Sequence, residues 1–237
     1  MRLLIDAGNT RIKWAIIRGD VWLRNGILPV KEAAELAAHL ENFNDINETW
    51  VSNVAGENVQ RSIVRMGAGE TRFIAAQKHQ CGVHNGYANA AQLGSDRWAA
   101  LIAAWHVTQG KCLVVNCGTA TTIDSLSDKG EFLGGLILPG IELMQSSLVS
   151  AASNLHAAHG RYEEFPTNTS DAVISGAIQA GCGAIDRQHA LLGLGAAVVL
   201  SGGAAWMLLP HLEKTVRNMD NLVLRGLELI AQEASAK

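Results

Sequence analysis

The chain has 237 residues, enough for one large domain or two small ones, and 48% of them are hydrophobic against 17% charged, a globular composition that can fill a sizeable core. A formal net charge of −3, with no dense cluster of Lys and Arg, argues against a surface for nucleic acid or for an anionic membrane. Cys81, Cys112, Cys117 and Cys182 form no C-x-x-C pair, which argues against zinc and against a disulfide framework, and with no basic-then-apolar leader or membrane-length apolar run a cytoplasmic protein is expected.

Leu3 to Ile5 is a short apolar run stopped by Asp6, Ala7 and Gly8, the pattern of a buried strand. Asp6 at the strand's end can face a cleft and hold a metal ion. Gly8 lets the backbone approach a ligand, and Asn9, Thr10 and Lys13 supply amide, hydroxyl and ammonium donors suited to phosphate oxygens. An ordinary strand with a hairpin turn has the same local pattern. Arg11 to Ile17 and Val21 to Leu28 read as an antiparallel pair around Arg18–Gly19–Asp20. Lys31 to Phe43 reads as a helix with Ala33, Leu36, Ala37, Leu40 and Phe43 on one face. A strand from Trp50 to Val54, a helix from Val59 to Met66 and a strand from Thr71 to Ala75 follow, an α/β order. Residues 76–95 read as a loop, with Gly82, Asn85, Gly86, Asn89 and Gly94 between Val83, Tyr87 and Leu93, and a loop of that length in a compact domain points to function. A helix then runs from Ser95–Asp96 to about Thr108.

The second half repeats the opening. Leu113 to Thr121 aligns with Leu3 to Thr10: an apolar strand ends in Asn116, then Cys117, Gly118 and hydroxyl residues. Thr119 to Ser125 and Glu131 to Leu138 flank the turn Asp128–Lys129–Gly130, again a hairpin. Helices are expected at Ile141–Ser150 and Ser170–Leu192, a strand at Ala197–Leu200 before Ser201–Gly202–Gly203, and helices at Ala204–Leu212 and Leu222–Ala234. The repeat predicts two similar lobes, residues 1–110 and 111–237, with two phosphate-gripping turns facing each other across a cleft.

Neither G-x-x-x-x-G-K-[ST] nor G-x-G-x-x-G occurs, so the common nucleotide loops are absent. Two glycine turns fit a nucleoside triphosphate held between two lobes, with Asp6 on Mg²⁺ and Thr10, Lys13, Thr119 and Thr121 on phosphates. In Gly94–Ser95–Asp96–Arg97, Asp96 has two readings. It can cap the helix, or it can take the proton of an attacking alcohol while Arg97 grips an acidic substrate. Gly134–Gly135 with Pro139–Gly140 marks either a ligand contact or a packed strand end. Ser201–Gly202–Gly203 marks either a platform for a flat adenine ring or a tight turn. The eight histidines lack metal-ligand spacing.

Taken together, Asp6 to Thr10, Asn85–Gly86–Tyr87, Gly94 to Arg97, Gly118 to Thr122, Gly134–Gly135, Pro139–Gly140 and Asn168–Thr169 make the chain resemble the type III pantothenate kinases, the family also named after the Bvg accessory factor. The match covers nearly the whole chain. It implies an α/β fold of two duplicated RNase H-like lobes, that of the acetate and sugar kinase/Hsp70/actin superfamily. It also implies ATP-dependent phosphorylation of pantothenate, the first step of coenzyme A synthesis, by a homodimer. By the same resemblance, Asp6 to Lys13, with Gly8, Asn9, Thr10 and Arg11, form the first ATP-phosphate site, and Gly118, Thr119 and Thr121 serve ATP as well. Asp96 is the base. Tyr87, Gly94, Ser95, Asp96 and Arg97 contact pantothenate, and Thr169 meets it, in one arrangement across the dimer. Two positions depart from the pattern. Asn116 stands where many relatives have an Asp that binds K⁺ or NH₄⁺, which puts the monovalent cation in doubt. Ala91 stands near a common proline, so the substrate loop differs in stiffness. Two other readings keep the fold: a kinase for another hydroxylated acid or sugar, and a non-catalytic regulatory protein. The retained Asp6 and Asp96 argue against the second.

Overall fold

The computed structural model describes residues 1–151 and 160–236. The chain divides into two compact units, Met1–Val107 with Asn221–Lys237, and Thr108–Asp220.

In the first unit, β1 (Arg2–Ala7), β2 (Arg11–Arg18), β3 (Val21–Pro29), β4 (Glu48–Asn53) and β5 (Glu70–Phe73) form a sheet in the order β3-β2-β1-β4-β5. Short turns make β1, β2 and β3 antiparallel, while crossovers make β4 and β5 parallel to β1. Leu3, Ile5 and Ala7 share one core with Leu36, Leu40, Val59 and Ile63. Leu4 alternates to the opposite face and is equally enclosed. Each such aliphatic contributes about 1.5–3 kcal/mol on burial, which offsets the penalty of ending the strand in a carboxylate. Among the described residues the unit's α-helices are α1 (Glu57–Met66), α2 (Ser95–Thr108) and α6 (Leu222–Ser235).

The second unit repeats this plan. Here β8 (Cys112–Cys117), β9 (Ala120–Leu126), β10 (Glu131–Pro139), β11 (Ala197–Ser201) and β12 (Val216–Asn218) run β10-β9-β8-β11-β12. The first three strands are again antiparallel, and β11 and β12 are again parallel to β8. Leu113, Val115, Val198 and Leu200 pack on Ile178 and Ile185 of α4 (Thr169–Leu192), beside α3 (Ile141–Ala151) and the short α5 (Ala205–Leu208).

Three details differ from the expectations above. The helix expected over Lys31–Phe43 is a 3-10 helix, Val30–Leu40, interrupted at Glu32, because its spacing of buried Ala33, Leu36 and Leu40 serves either helix type. Residues 76–95 are not a plain loop: they hold a hairpin of β6 (His79–Gln80) and β7 (Val83–Asn85), then a 3-10 turn at Ala90–Gln92. Strands of two and three residues are too short to show a period. The helix expected over Ala204–Leu212 is one α turn followed by a 3-10 turn at Leu209–His211.

Candidate active site

The register of the first sheet sets the neighbours of Asp6. Lys13 of β2 lies opposite it, and Ser52 of β4 lies beside it on the other flank. The turn after β1 closes when the Gly8 N–H donates to the Arg11 carbonyl at 3.1 Å. Asn9, Thr10 and Arg11 are exposed, so their donors face outward. The Asp6 carboxyl is pushed up to about 7, chiefly by burial and then by the negative charge of Asp96, while the Lys13 ammonium pulls the other way. The Asp6 carboxyl is therefore close enough to Asp96 and Lys13 to feel both charges. Two carboxylates that repel are a donor set that a cation relieves.

Asp96 stands in the first turn of α2. The first helical bond runs from the Trp98 N–H to the Gly94 carbonyl at 3.0 Å, and Asp96 Oδ1 accepts the Arg97 N–H at 2.8 Å. One carboxylate oxygen thus serves an amide of the first turn of its own helix. A Cβ on Gly94 would come within 2.6 Å of that same oxygen, so the missing side chain leaves room for the carboxylate.

Arg97 is 7% exposed, and its Nη1 donates to the Tyr87 hydroxyl at 3.3 Å with the guanidinium over the Tyr87 ring. The Tyr87 N–H donates to Asn85 Oδ1 at 3.0 Å, and the Asn85 amide reaches the Ala90 carbonyl. Ala91 supplies an N–H to Asn89 Oδ1 at 3.2 Å, a bond that a proline there would lack. This segment is therefore held by a cap rather than by a proline ring.

The second unit positions the other group. Asn116 lies between Thr122 of β9 and Ser201 of β11, and the Gly118 N–H closes its turn onto the Ala120 carbonyl at 3.0 Å. Thr119 is exposed, whereas Thr121 is 2% exposed. The glycines beyond are packing devices. A Cβ on Gly140 would lie 2.2 Å from the Gly118 carbonyl oxygen, and one on Gly202, at φ +104°, 2.2 Å from the Cys117 carbonyl oxygen. Thr169 begins α4 behind the capping Asn168, and lies exposed on a groove of about 490 Å³ with Met144, Leu148 and Val173. Burial pushes the Cys117 thiol up to about 12 and Cys182 to about 11, which makes both poor nucleophiles at neutral pH.

Among the described residues no group of three or more His, Cys, Asp or Glu could hold a metal ion. Mg²⁺ commonly takes one or two carboxylates and completes its shell with water and substrate phosphates, a pattern that Asp6 fits. No helix among the described residues is long and apolar enough to cross a membrane. Ser52 escaped the sequence reading: it is fully buried and its hydroxyl lies 2.9 Å from that of Ser95. Only a motif spanning β4 and α2 would have signalled it.

The recurring strand order agrees with solved structures. A Baf family protein from Campylobacter jejuni, named for transcriptional activation, superposes with a TM-score of 0.70 at 21% identity, covering 99% of this chain and 100% of its own. A 2-dehydro-3-deoxygalactonokinase from Sinorhizobium meliloti superposes with a TM-score of 0.61 at 17% identity, covering 99% of each chain. These likenesses show the fold alone, two α/β units built on one recurring strand order. The type III pantothenate kinase family profile matches residues 2–190. The type III pantothenate kinase of Nitrosospira multiformis is 46% identical over 240 residues, spanning 98% of this chain and 92% of the relative. On that identity along nearly its whole length, the chain belongs to the type III pantothenate kinase family.

Proposed function

We propose that this protein transfers the γ-phosphoryl group of ATP to the hydroxyl of pantothenate, the first step of coenzyme A synthesis, with Asp96 as the base. Membership in a pantothenate kinase family makes ATP and pantothenate its substrates. The observation that carries the assignment of residues is the charge of Asp96 acting on the Asp6 carboxyl, with Asp96 held in the first turn of α2 by its bond to the Arg97 N–H, which sets a cation-seeking carboxylate beside one at a helix start.

The attacking pantothenate oxygen forms a bond to the γ-phosphorus as the bond from that phosphorus to the β,γ-bridging oxygen breaks and ADP leaves. Asp96 accepts the hydroxyl proton. Lys13 and Arg11 offset phosphate charge, Asn9 and Thr10 donate to phosphate oxygens, and Gly8, whose N–H closes the turn, leaves room for the approach. On the second turn, Gly118 and the exposed Thr119 are ATP ligands, while Thr121, expected beside them, is buried in β9 and supports the turn from within. Asp6 would hold Mg²⁺, which supplies Lewis-acid stabilisation of charge on the phosphoryl oxygens. Arg97 and Tyr87 orient the pantothenate carboxylate, with Gly94 and Ser95 completing that subsite.

The finer parts of the reading are a homodimer, in which Thr169 reaches the partner's pantothenate, a cytoplasmic location, and a weak monovalent cation site. Asn116 keeps a carbonyl ligand without the charge that a carboxylate would bring. The decisive experiment is an ADP-release assay with pantothenate beside a panel of sugars and other hydroxy acids. Turnover confined to pantothenate is expected. Turnover with a different acceptor, or none, overturns the assignment.

A further inference from the structure

We infer that Ser52, outside every motif described above, is a positioning residue for Asp96; the inference rests on the proposed role of Asp96 as base. Ser52 stands on β4 in register with Asp6, so both side chains leave the sheet on the same face. That is the face away from the core built on Ile5 and Val51. Ser52 is 0% exposed and Ser95 is 8% exposed, and their hydroxyls lie 2.9 Å apart. A hydroxyl so enclosed keeps a partner, because water cannot replace it. Ser95 is the residue before Asp96, in the first turn of α2. The bond therefore pins the start of that helix to the strand that flanks Asp6, and it ties the spacing of the two carboxylates to one buried contact.

Gly94 and Ser52 act on Asp96 from two sides. The first leaves space for its carboxylate and the second fixes the backbone that carries it. Without the Ser52 hydroxyl the first turn of α2 gains freedom to shift, and a shift of about 1 Å in a catalytic group can lower a rate by up to about a hundredfold. On substitution of Ser52 a loss of this kind falls on the chemical step, since Ser52 belongs neither to the ATP-phosphate residues nor to the pantothenate subsite.

The test compares wild type, Ser52→Ala, Ser95→Ala and the double variant by steady-state kinetics with pantothenate and ATP, with thermal melting alongside. For Ser52→Ala, kcat is expected to fall roughly tenfold with both KM values within about twofold, the mark of an interaction realised in the transition state. In the Ser95→Ala background the same change is expected to have no further effect on kcat, because the two hydroxyls act as one unit. Ser52→Cys preserves the volume and a weak donor, and carries the test should the alanine variant fail to fold. A folded Ser52 variant with unchanged kcat, or a loss that persists undiminished in the Ser95→Ala background, overturns the inference while leaving the kinase reading intact. A wild-type protein that does not turn over pantothenate overturns both.

Discussion

The two strand-end turns share a frame and differ in their chemistry. In the first unit the Ala7 carbonyl accepts from the Val54 N–H and the Thr10 carbonyl from the Val30 N–H. In the second unit the Cys117 carbonyl accepts from the Ala204 N–H and the Thr119 carbonyl from the Gly140 N–H. The same two braces thus hold both turns. Yet the first turn joins Ala7 to Ile12 and the second joins Cys117 to Thr121, one residue shorter, and the shorter turn brings backbones into contact at Gly140 and Gly202. The side chains part further: Asp6 faces Lys13, whereas Asn116 faces Thr122. Backbone hydrogen bonds preserve an architecture whatever side chains it carries, so charge at one turn and neutrality at the other can coexist on one plan.

The largest expected effect lies on the charged side. Asp96→Asn keeps the oxygen that accepts from the Arg97 amide but cannot take a proton. Its kcat should fall by about a hundredfold or more with melting nearly unchanged. Near-normal turnover in this folded variant would reduce Asp96 to a cap and remove the chemical contrast between the units.

Gly202→Ala should strain the second turn by about 2–5 kcal/mol, from a positive φ and a backbone overlap together. Val54→Ala, at a backbone brace of the first turn, should change stability by about 1 kcal/mol or less. Denaturant unfolding of the pair checks this, and equal losses would mean that the two turns are packed alike.

Asp6 allows a test in which stability and function move in opposite directions. Its folded value near 7 lies above the 3.8 of the free side chain, so the native state binds more protons than the unfolded chain between about pH 4 and 7. Stability from this group is greatest below pH 4 and declines as pH rises to 7. Asp6→Asn should therefore melt higher than wild type at pH 7.5, by about 1–4 kcal/mol of stability, with the gap closing near pH 4. The same variant should lose its response to Mg²⁺ and ATP. A lower melting point at neutral pH, or unchanged Mg²⁺ dependence, would contradict the role given to this carboxylate.

The smallest effect concerns Asn116. Adding charge with Asn116→Asp should raise K⁺ affinity by about two- to fivefold, the worth of one partly exposed ionic contact, and wild type should depend only weakly on K⁺ or NH₄⁺. Rates in K⁺, NH₄⁺, Na⁺ and a bulky organic cation decide the matter. Identical responses of both forms would show that residue 116 does not set the cation requirement.

Much of this was legible in the chain alone. Leu3 to Ile5 and Leu113 to Val115 announce strands because a buried central strand is apolar on both faces, and the glycine turns that follow announce hairpins by composition. The start of α2 at Ser95 was readable because capping chemistry is local. Other features depended on distant segments. The apolar spacing of Val30–Leu40 could not separate a 3-10 from an α-helix, and β6, β7 and β12 are too short for any period. Gly140 and Gly202 read equally well as ligand contacts until the structure brought them against the Gly118 and Cys117 carbonyls. The elevated Asp6 carboxyl needs the charge of Asp96, and the buried hydroxyl of Ser52 needs Ser95. Local propensity and pattern belong to neighbouring residues and can be read along the chain. Desolvation, charge–charge influence and close backbone approach arise between segments that meet only on folding, so the tertiary structure alone decided them.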